Sequence, residues 1–268
     1  MQIKNKTKRT TKNKTRKVKK NIKTIKFIII IATFNRKNGK TPEYLKKSID
    51  SVFSQLYTNW DLIIVGDKYE KENELLEIID SYKTKLLNTN LSNNIIYINN
   101  QTVERDKIKN KEELWKFAGA NSMNKGLKYA RKHNYKYYCH LDDDDYWKNN
   151  HLQSLYNIYN KYSNCVFANT QSTYINSYLP KTTNINIFEN NLLPTSEKTI
   201  HSSISFRIDI IPFKYINIFE KNINLKSKKP ADADMLDYIK DFIIKHKQYC
   251  SIYNPVLTCY HDIEGEQK

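Results

Sequence analysis

Residues 137–147 read YYCHLDDDDYW, an apolar run typical of a buried β-strand that ends in four consecutive aspartates. Four adjacent carboxylates repel one another unless a cation neutralises them. Short Asp side chains at the end of a strand can present their oxygens to a hard divalent ion such as Mg²⁺ or Mn²⁺. The alternative is an acidic cap for a helix starting near Tyr146, although one Asp would suffice for a cap. We therefore favour a metal site at the end of this strand.

Three more apolar, β-branched runs precede the aspartates, at residues 25–32, 60–65 and 94–98. Between them, apolar residues recur at helical spacing after Thr41-Pro42, around 75–79, and in one long stretch at 114–130. The resulting order, βαβαβαβ, predicts an α/β fold with a mostly parallel central sheet and helices on both faces.

Polar candidate residues follow these strands at the edge where a parallel sheet opens to its ligands. The sequence TFNR, from Thr33 to Arg36, follows the first strand, Asp67 follows the second, and Arg105 lies in the loop after the third. Asp67 is equally consistent with a helix cap. The chain has five glycines and neither G-x-G-x-x-G nor a P-loop, so we expect a metal ion to neutralise bound phosphate.

The pattern is less regular beyond residue 147. It predicts a helix at 152–159, strands at 165–168 and 200–207, a helix at 208–219, and two closing strands at 249–253 and 256–260. Between the predicted helix at 208–219 and the closing strands, Asp232 is placed to cap a further helix and is also a candidate catalytic carboxylate. The polar, Asn-rich segment 170–200 contains no motif that identifies an acceptor.

The net charge of +17 suggests a polyanionic partner, but its distribution argues otherwise. Residues 1–26 hold 12 of the 45 basic residues and none of the 28 acidic ones, so the remainder has 33 against 28, a net charge of +5. This tail is low in apolar residues and is predicted to be disordered. Contact with nucleic acid, an anionic membrane surface or an import receptor, and a purely solubilising role, all remain open.

Four cysteines, at 139, 165, 250 and 259, show no C-x-x-C spacing, which favours reduced, buried thiols. We see no secretory signal pattern, and the apolar run at 25–33 is too short to span a bilayer. The sequence thus predicts a soluble, cytoplasmic protein, with membrane-surface association left open.

Four stretches together resemble family 2 glycosyltransferases of the GT-A fold. They are the first strand and its loop at 28–36, SIDSVFSQ at 48–55 leading to LIIVGD at 62–67, the aspartate run at 141–147 as a DXD-type motif, and ADAD at 231–234. The resemblance extends over residues 26–261 and implies one GT-A domain at 27–264, with a nucleotide-sugar half at 27–150 and an acceptor half at 151–264.

The resemblance also implies roles in donor binding. Phe34 would lie against the base, Asp67 would contact a ring nitrogen of the base, and Asp143 would face the ribose. The nucleotide-sugar site would further include Thr33, Asn35, Arg36, Arg105 and Asp142. UDP is the expected carrier. The sequence departs from the family pattern where Ala32 replaces Pro, Gly66 replaces Asp and Ala231 replaces Glu.

By the same resemblance, Asp144 and Asp142 would hold Mn²⁺ or Mg²⁺ at the diphosphate, and Asp232 would be the general base, with Asp234 as the nearest rival. His261 either ligates this metal or is an ordinary hydrogen-bonded surface histidine.

The implied reaction is a metal-dependent, inverting transfer of a sugar from a nucleotide-sugar to an acceptor hydroxyl. Two alternatives come from other classes of protein. A metal-dependent nucleotidyltransferase would use similar carboxylates but a different first loop, and a nucleic-acid-binding protein would act through the basic tail.

Overall fold

The computed structural model describes residues 24–180, 189–190, 193–219 and 229–261. The predicted disordered tail lies almost entirely outside these residues, as do residues 262–264 of the predicted domain. The helices of the described ranges are α1 (Thr41–Phe53), α2 (Glu72–Leu87), α3 (Lys111–Phe117), α4 (Ala120–Lys132), α5 (His151–Lys161) and α6 (Ala231–Lys245). Short 3-10 helices lie at Glu104–Asp106 and His201–Ser203.

The strands form one mixed sheet. They are β1 (Phe27–Thr33), β2 (Trp60–Asp67), β3 (Ile95–Asn100), β4 (Tyr137–His140), β5 (Tyr146–Trp147), β6 (Cys165–Tyr174), β7 (Ser177–Leu179), β8 (Glu189–Asn190), β9 (Ile204–Arg207) and β10 (Cys250–Tyr260). The main path is β3-β2-β1-β4-β9-β6-β10-β5, with β7 on β6 and β8 on β10. The strands β3, β2, β1 and β4 are parallel to one another, as the alternating pattern predicts, and β9 is antiparallel to β4.

Both faces of β1 are buried, which explains its unbroken β-branched sequence. Phe27, Ile29 and Ile31 pack in one core with α1, α2 and α5. Ile28 and Ile30 face the opposite core, which contains α4 and α6. Helices therefore cover both faces of the sheet, and the predicted α/β class is confirmed.

Two predicted helices are wrong. The stretch 114–130 is split into α3 and α4, because the chain turns at Ala118-Gly119, where Gly119 has a left-handed φ of +78°. Residues 208–219 contain no helix; their apolar side chains pack as an irregular segment against the core that contains α4 and α6.

Several boundaries also differ from the prediction. Tyr146-Trp147 form β5, which pairs with β10, and the next helix starts only at His151, so the aspartates cap no helix. The hydroxyl of Thr41 does not cap α1 but donates to the carbonyl of Phe34. The two closing strands are one strand, β10, with irregular register against β6.

The start of the folded part lies before residue 27. Ile25 is fully buried, and Lys26 forms an ion pair with the buried Asp61 at 2.7 Å. Charge counting places both residues in the tail, whereas the apolar run at 25–32 already includes them. All four cysteines are buried and free, as expected. Within the described ranges, no helix has the length and apolar character needed to cross a membrane.

Candidate active site

A cavity of about 1230 Å³ lies where the parallel strands end. Its lining combines the loops after β1, β2 and β4 with α3, the β6–β7 hairpin, the segment before β9 and the start of α6. The lining includes both polar and aromatic side chains. This position agrees with the rule that ligands of open α/β sheets bind at the carboxyl ends of the strands.

Strand register brings the first loop and the aspartate run together. Ile30 pairs with His140 across β1 and β4, so Thr33 and Asp143 both lie three residues beyond that pair. The Thr33 hydroxyl donates to Asp143 Oδ2 at 2.6 Å, and both residues are buried. Two predicted site residues more than 100 positions apart are thereby in direct contact.

Arg36 neutralises two of the four aspartates. Its Nη1 and Nη2 donate to both oxygens of Asp143 at 2.9 and 2.7 Å, and Nη2 also donates to Asp144 at 2.9 Å. Burial alone would lower the pKa of Arg36, but the adjacent Asp143 and Asp144 raise it above its ordinary value. The Phe34 ring, 41% exposed, lies 4.8 Å from the same guanidinium.

The four carboxylates diverge because residues 142–145 form a tight turn, closed by the bond from Asp145 N to Asp142 O at 3.2 Å. Asp143 and Asp144 lie at the tip of the turn and reach Arg36. Burial and the neighbouring Asp143 and Asp145 raise the pKa of Asp144 to about 8. The carboxylates around Asp144 thus make its ionisation unfavourable, and a bound cation would favour the ionised form.

Asp142 lies beside two histidines, and the sequence did not predict this cluster. His140 Nε2 lies 2.7 Å from Asp142 Oδ1, and the His140 and His201 rings stack with centroids 3.4 Å apart. Burial opposes ionisation of Asp142, but His140 holds the pKa of this carboxyl below its usual range. In the described part of the chain, His140, Asp142 and His201 are the group whose ligand atoms lie within 4.8 Å of one another.

Asp145 contacts the histidine at the end of β10. His261 Nδ1 lies 3.0 Å from Asp145 Oδ1, and the His261 ring faces Tyr174 at 6.0 Å between centroids. Asp145 is fully buried, whereas His261 lines the cavity. The pairing brings the carboxyl-terminal histidine to the aspartate run, as the metal hypothesis requires, and it also satisfies the alternative of a hydrogen-bonded histidine.

The end of β2 contributes Asp67 to the lining of the cavity. Asp67 is 6% exposed and accepts hydrogen bonds from Arg105 Nη1 at 2.6 Å and from the Ser122 hydroxyl. Burial raises its pKa. Its carboxylate is thus held by these two partners, and it does not cap α2, which starts at Glu72.

Two further features near Asp67 were not predicted. Glu104 is buried beside Asp67; it accepts the Asn121 N–H through Oε1, and burial raises its pKa to about 7. Gly66 stands where the family has Asp, and a Cβ there would lie 2.7 Å from Asn99 Oδ1. The Asn99 side chain therefore occupies the space that a Cβ at position 66 would need.

Asp232 lies in the first turn of α6 and lines the same cavity as the aspartate run. Pro230 precedes the helix, so Asp232 is inside it and is not its N-cap, contrary to the sequence prediction. Burial raises its pKa, and the nearby Asp142 acts in the same direction. A carboxylate with a raised pKa is a stronger proton acceptor.

The cavity brings together most of the predicted site residues. Its lining includes Thr33, Phe34, Arg36, Asp67, Arg105, Asp142, Asp143, Asp144, Asp232 and His261. Asn35 is half-buried and is not among the lining residues. His201, Glu104 and Trp115 also line it and were missed. An isolated histidine in an apolar strand pattern offers no sequence signal for a site, whereas His140, two residues before the aspartates, could have been suspected.

The fold is GT-A-like. TarS from S. aureus (residues 1–349) superposes with a TM-score of 0.59 at 14% identity, covering 88% of this chain and 60% of that chain. The mannosyltransferase PcManGT from Pyrobaculum calidifontis superposes at 0.52 and 12% identity, covering 89% and 57%. The chain therefore covers less than two thirds of these solved structures.

Sequence comparison gives the family. The model of glycosyl transferase family 2 matches residues 28–217, so the chain belongs to this family, as its motifs suggested. An uncharacterized glycosyltransferase of Acanthamoeba polyphaga mimivirus is 46% identical over 250 residues, which cover 91% of this chain and 96% of that protein. The amylovoran biosynthesis glycosyltransferase AmsB of Erwinia amylovora is 29% identical over 132 residues, 49% of this chain and 35% of that one.

Proposed function

We propose that this family 2 glycosyltransferase moves a sugar from a UDP-sugar to an acceptor hydroxyl by one inverting displacement that depends on Mg²⁺ or Mn²⁺. One observation carries the proposal: the candidate base, Asp232, lines the same cavity as the aspartate run that would hold the diphosphate. A single displacement needs a proton acceptor and a site for the leaving group on either side of one reacting carbon.

The proposed chemistry uses Asp232 as the base. The acceptor oxygen attacks the anomeric carbon, its proton passes to an Asp232 carboxylate oxygen, and the bond from that carbon to the diphosphate oxygen breaks. The nucleoside diphosphate leaves on the opposite face, so the configuration inverts. This route requires one carboxylate and no covalent intermediate, unlike retaining hydrolysis.

The residues present fit a divalent ion. Asp142 and Asp144 offer carboxylate oxygens and His261 an imidazole nitrogen, a donor set suited to Mn²⁺ and Mg²⁺. Two carboxylates, Asp143 and Asp144, share the single guanidinium of Arg36, and a cation beside them would balance the remaining charge. A bound ion would neutralise the departing diphosphate. His140 and His201 with Asp142 form an alternative ligand set, and PcManGT, which shares the fold, was solved with Mn²⁺.

The identity of the nucleotide in the donor is a further part of the proposal. TarS was solved with UDP and with UDP-GlcNAc, whereas PcManGT was solved with GDP-Man, so the shared fold accommodates more than one base. We favour UDP because the motifs around Phe34 and Asp67 resemble those of uridine binders. Arg105 and Ser122 orient Asp67, and Arg36 orients Asp143, which would contact the ribose.

The test compares Asp232→Asn with Asp234→Asn, a carboxylate in the same helical turn. Wild-type protein is screened with UDP-sugars and Mn²⁺ for slow hydrolysis, and UDP binding is measured by calorimetry. Asp232→Asn should bind UDP and melt like the wild type but lose on the order of 10²–10⁴ in rate. Asp234→Asn should keep its rate. Near wild-type turnover in Asp232→Asn would place the base elsewhere, and loss in Asp234→Asn alone would transfer the role.

A further inference from the structure

Two segments that line the cavity are not among the donor residues: Leu114, Trp115 and Lys116 of α3, and residues 174–177, the tip of the β6–β7 hairpin. We refer to these two segments together as the second wall. Sites for one small ligand usually occupy about 300–1,000 Å³, and this cavity is larger, at about 1230 Å³. There is thus space for a second ligand beside the donor.

Apolar and aromatic side chains of this wall are open to solvent. Trp115 is 67% exposed, Ile175 61% and Tyr174 38%, and all three line the cavity. Tyr178, 50% exposed, pairs with Thr173 on the same hairpin and is not among the lining residues. Tyr174 pairs with Ser177, the residue next to Tyr178, and neighbouring positions of a strand point to opposite faces. The side chains of Tyr174 and Tyr178 therefore lie on opposite faces of the hairpin.

Ile175 occupies a backbone conformation that disfavours it. The hairpin closes with the two residues Ile175-Asn176, and Ile175 has a φ of +51°. Such positions are normally taken by Gly, Asn or Asp, and a β-branched residue there is a genuine outlier. Strain of this kind persists mainly at functional sites. A large apolar side chain is therefore kept at the cavity against the local preference of the backbone.

We infer that the wall formed by Trp115 and the hairpin tip 174–177 is the acceptor site and that the acceptor is a carbohydrate. This inference rests on the proposed function, which requires an acceptor beside Asp232 in the same cavity. The C–H faces of a pyranose ring pack against exposed aromatic rings, and its hydroxyls need polar partners close by. Asn176 and Ser177 supply amide and hydroxyl groups on this wall, and the carboxylate residue Glu197 lines the same cavity. A lipid chain would instead favour an uninterrupted apolar groove.

The test measures sugar binding to the full chain by saturation-transfer NMR with UDP and the diamagnetic ion Mg²⁺ present. The probes are neutral methyl glycosides and disaccharides of glucose, galactose, mannose and N-acetylglucosamine. Wild-type protein should bind at least one of them, and Trp115→Ala and Ile175→Gly should each weaken that binding about two- to tenfold. Tyr178→Ala, on the outer side of the hairpin, and Leu87→Ala, at the exposed end of α2, should bind as the wild type does.

Ile175→Gly adds a readout that a structural role would not produce. Gly accepts positive φ without strain, so the melting temperature should stay the same or rise while sugar binding falls. If Ile175→Gly melts at a lower temperature, Trp115→Ala provides the test of sugar binding, because Trp115 is exposed. Absence of sugar binding with intact UDP-sugar turnover, or unchanged binding in Trp115→Ala, overturns the inference and leaves the proposed function standing. Absence of UDP binding by the wild type overturns the proposed function itself.

Discussion

Replacing Arg36 by Ala tests how the aspartate run is neutralised. The guanidinium makes three hydrogen bonds of 2.7 to 2.9 Å to Asp143 and Asp144. The side chains of Arg36, Asp143 and Asp144 are only 10%, 5% and 12% exposed. Arg36→Ala would leave two nearly buried carboxylates without their counter-charge.

The magnitude follows from that burial. Removing one partner of a buried ion pair costs about 3–5 kcal/mol, because the remaining charge is left uncompensated. For a domain of this size, each kcal/mol lowers the melting temperature by about 2–4 °C, so Arg36→Ala should melt roughly 6–20 °C lower. A divalent ion that binds the vacated carboxylates would reverse part of this loss, by about 2.7 kcal/mol at a hundredfold excess over Kd.

The assay is thermal unfolding of wild type and Arg36→Ala with MnCl₂ and with a chelator. Mn²⁺ should raise the melting temperature of the variant by more than that of the wild type. Arg207→Ala is the matched control, since Arg207 binds both oxygens of Asp209 at 2.6 and 2.7 Å without lining the cavity. Because Asp209 is 28% exposed, Arg207→Ala should lose less stability than Arg36→Ala and should show no additional response to Mn²⁺. A variant that melts close to wild type would refute the burial argument, and no Mn²⁺ response in either protein would refute the cation site.

Two further predictions concern stability. In Gly126→Ala the new Cβ would lie 2.6 Å from Ile30 Cγ2, and this overpacking should destabilise the fold by about 1–3 kcal/mol. The higher helix propensity of Ala offsets up to about 1 kcal/mol of that loss. An equal or higher melting temperature than wild type would contradict the prediction. Burial raises the pKa of Glu104 to about 7 from 4.5, so the folded state binds the extra proton and wild-type stability should fall as pH rises between these values. Glu104→Gln cannot ionise, so its melting temperature relative to wild type should increase from pH 5 to pH 8, and a constant difference would exclude this titration.

Local sequence patterns were sufficient for the central layer of the fold. Apolar β-branched runs such as 27–33 predict strands buried on both faces, and helical spacing between them requires parallel pairing. The carboxyl ends of parallel neighbours then share one edge, so Thr33, Asp67 and the aspartate run could be placed in one cleft before any contact was known. Their individual roles in binding and catalysis remain predictions.

The same patterns failed where long-range contacts override local preference. Apolar spacing continues through 114–130, but the chain breaks at Gly119, and the break allows Asn121 to reach Glu104 and Ser122 to reach Asp67. Residues 208–219 have helical spacing and yet pack without a helix, because burial against the core satisfies their apolar side chains in either form.

By itself, the sequence determined the α/β class, the family and the cluster of carboxylates at the sheet edge, since these follow from periodicity and from short motifs. Only the tertiary structure decided which partner each aspartate takes: Arg36 for Asp143 and Asp144, His140 for Asp142, and His261 for Asp145. Hydrogen bonds and ion pairs act over a few ångströms, and three of these four contacts join residues more than 100 positions apart. Their geometry is set by the turn at 142–145 and by strand register, and the register depends on residues outside these contacts.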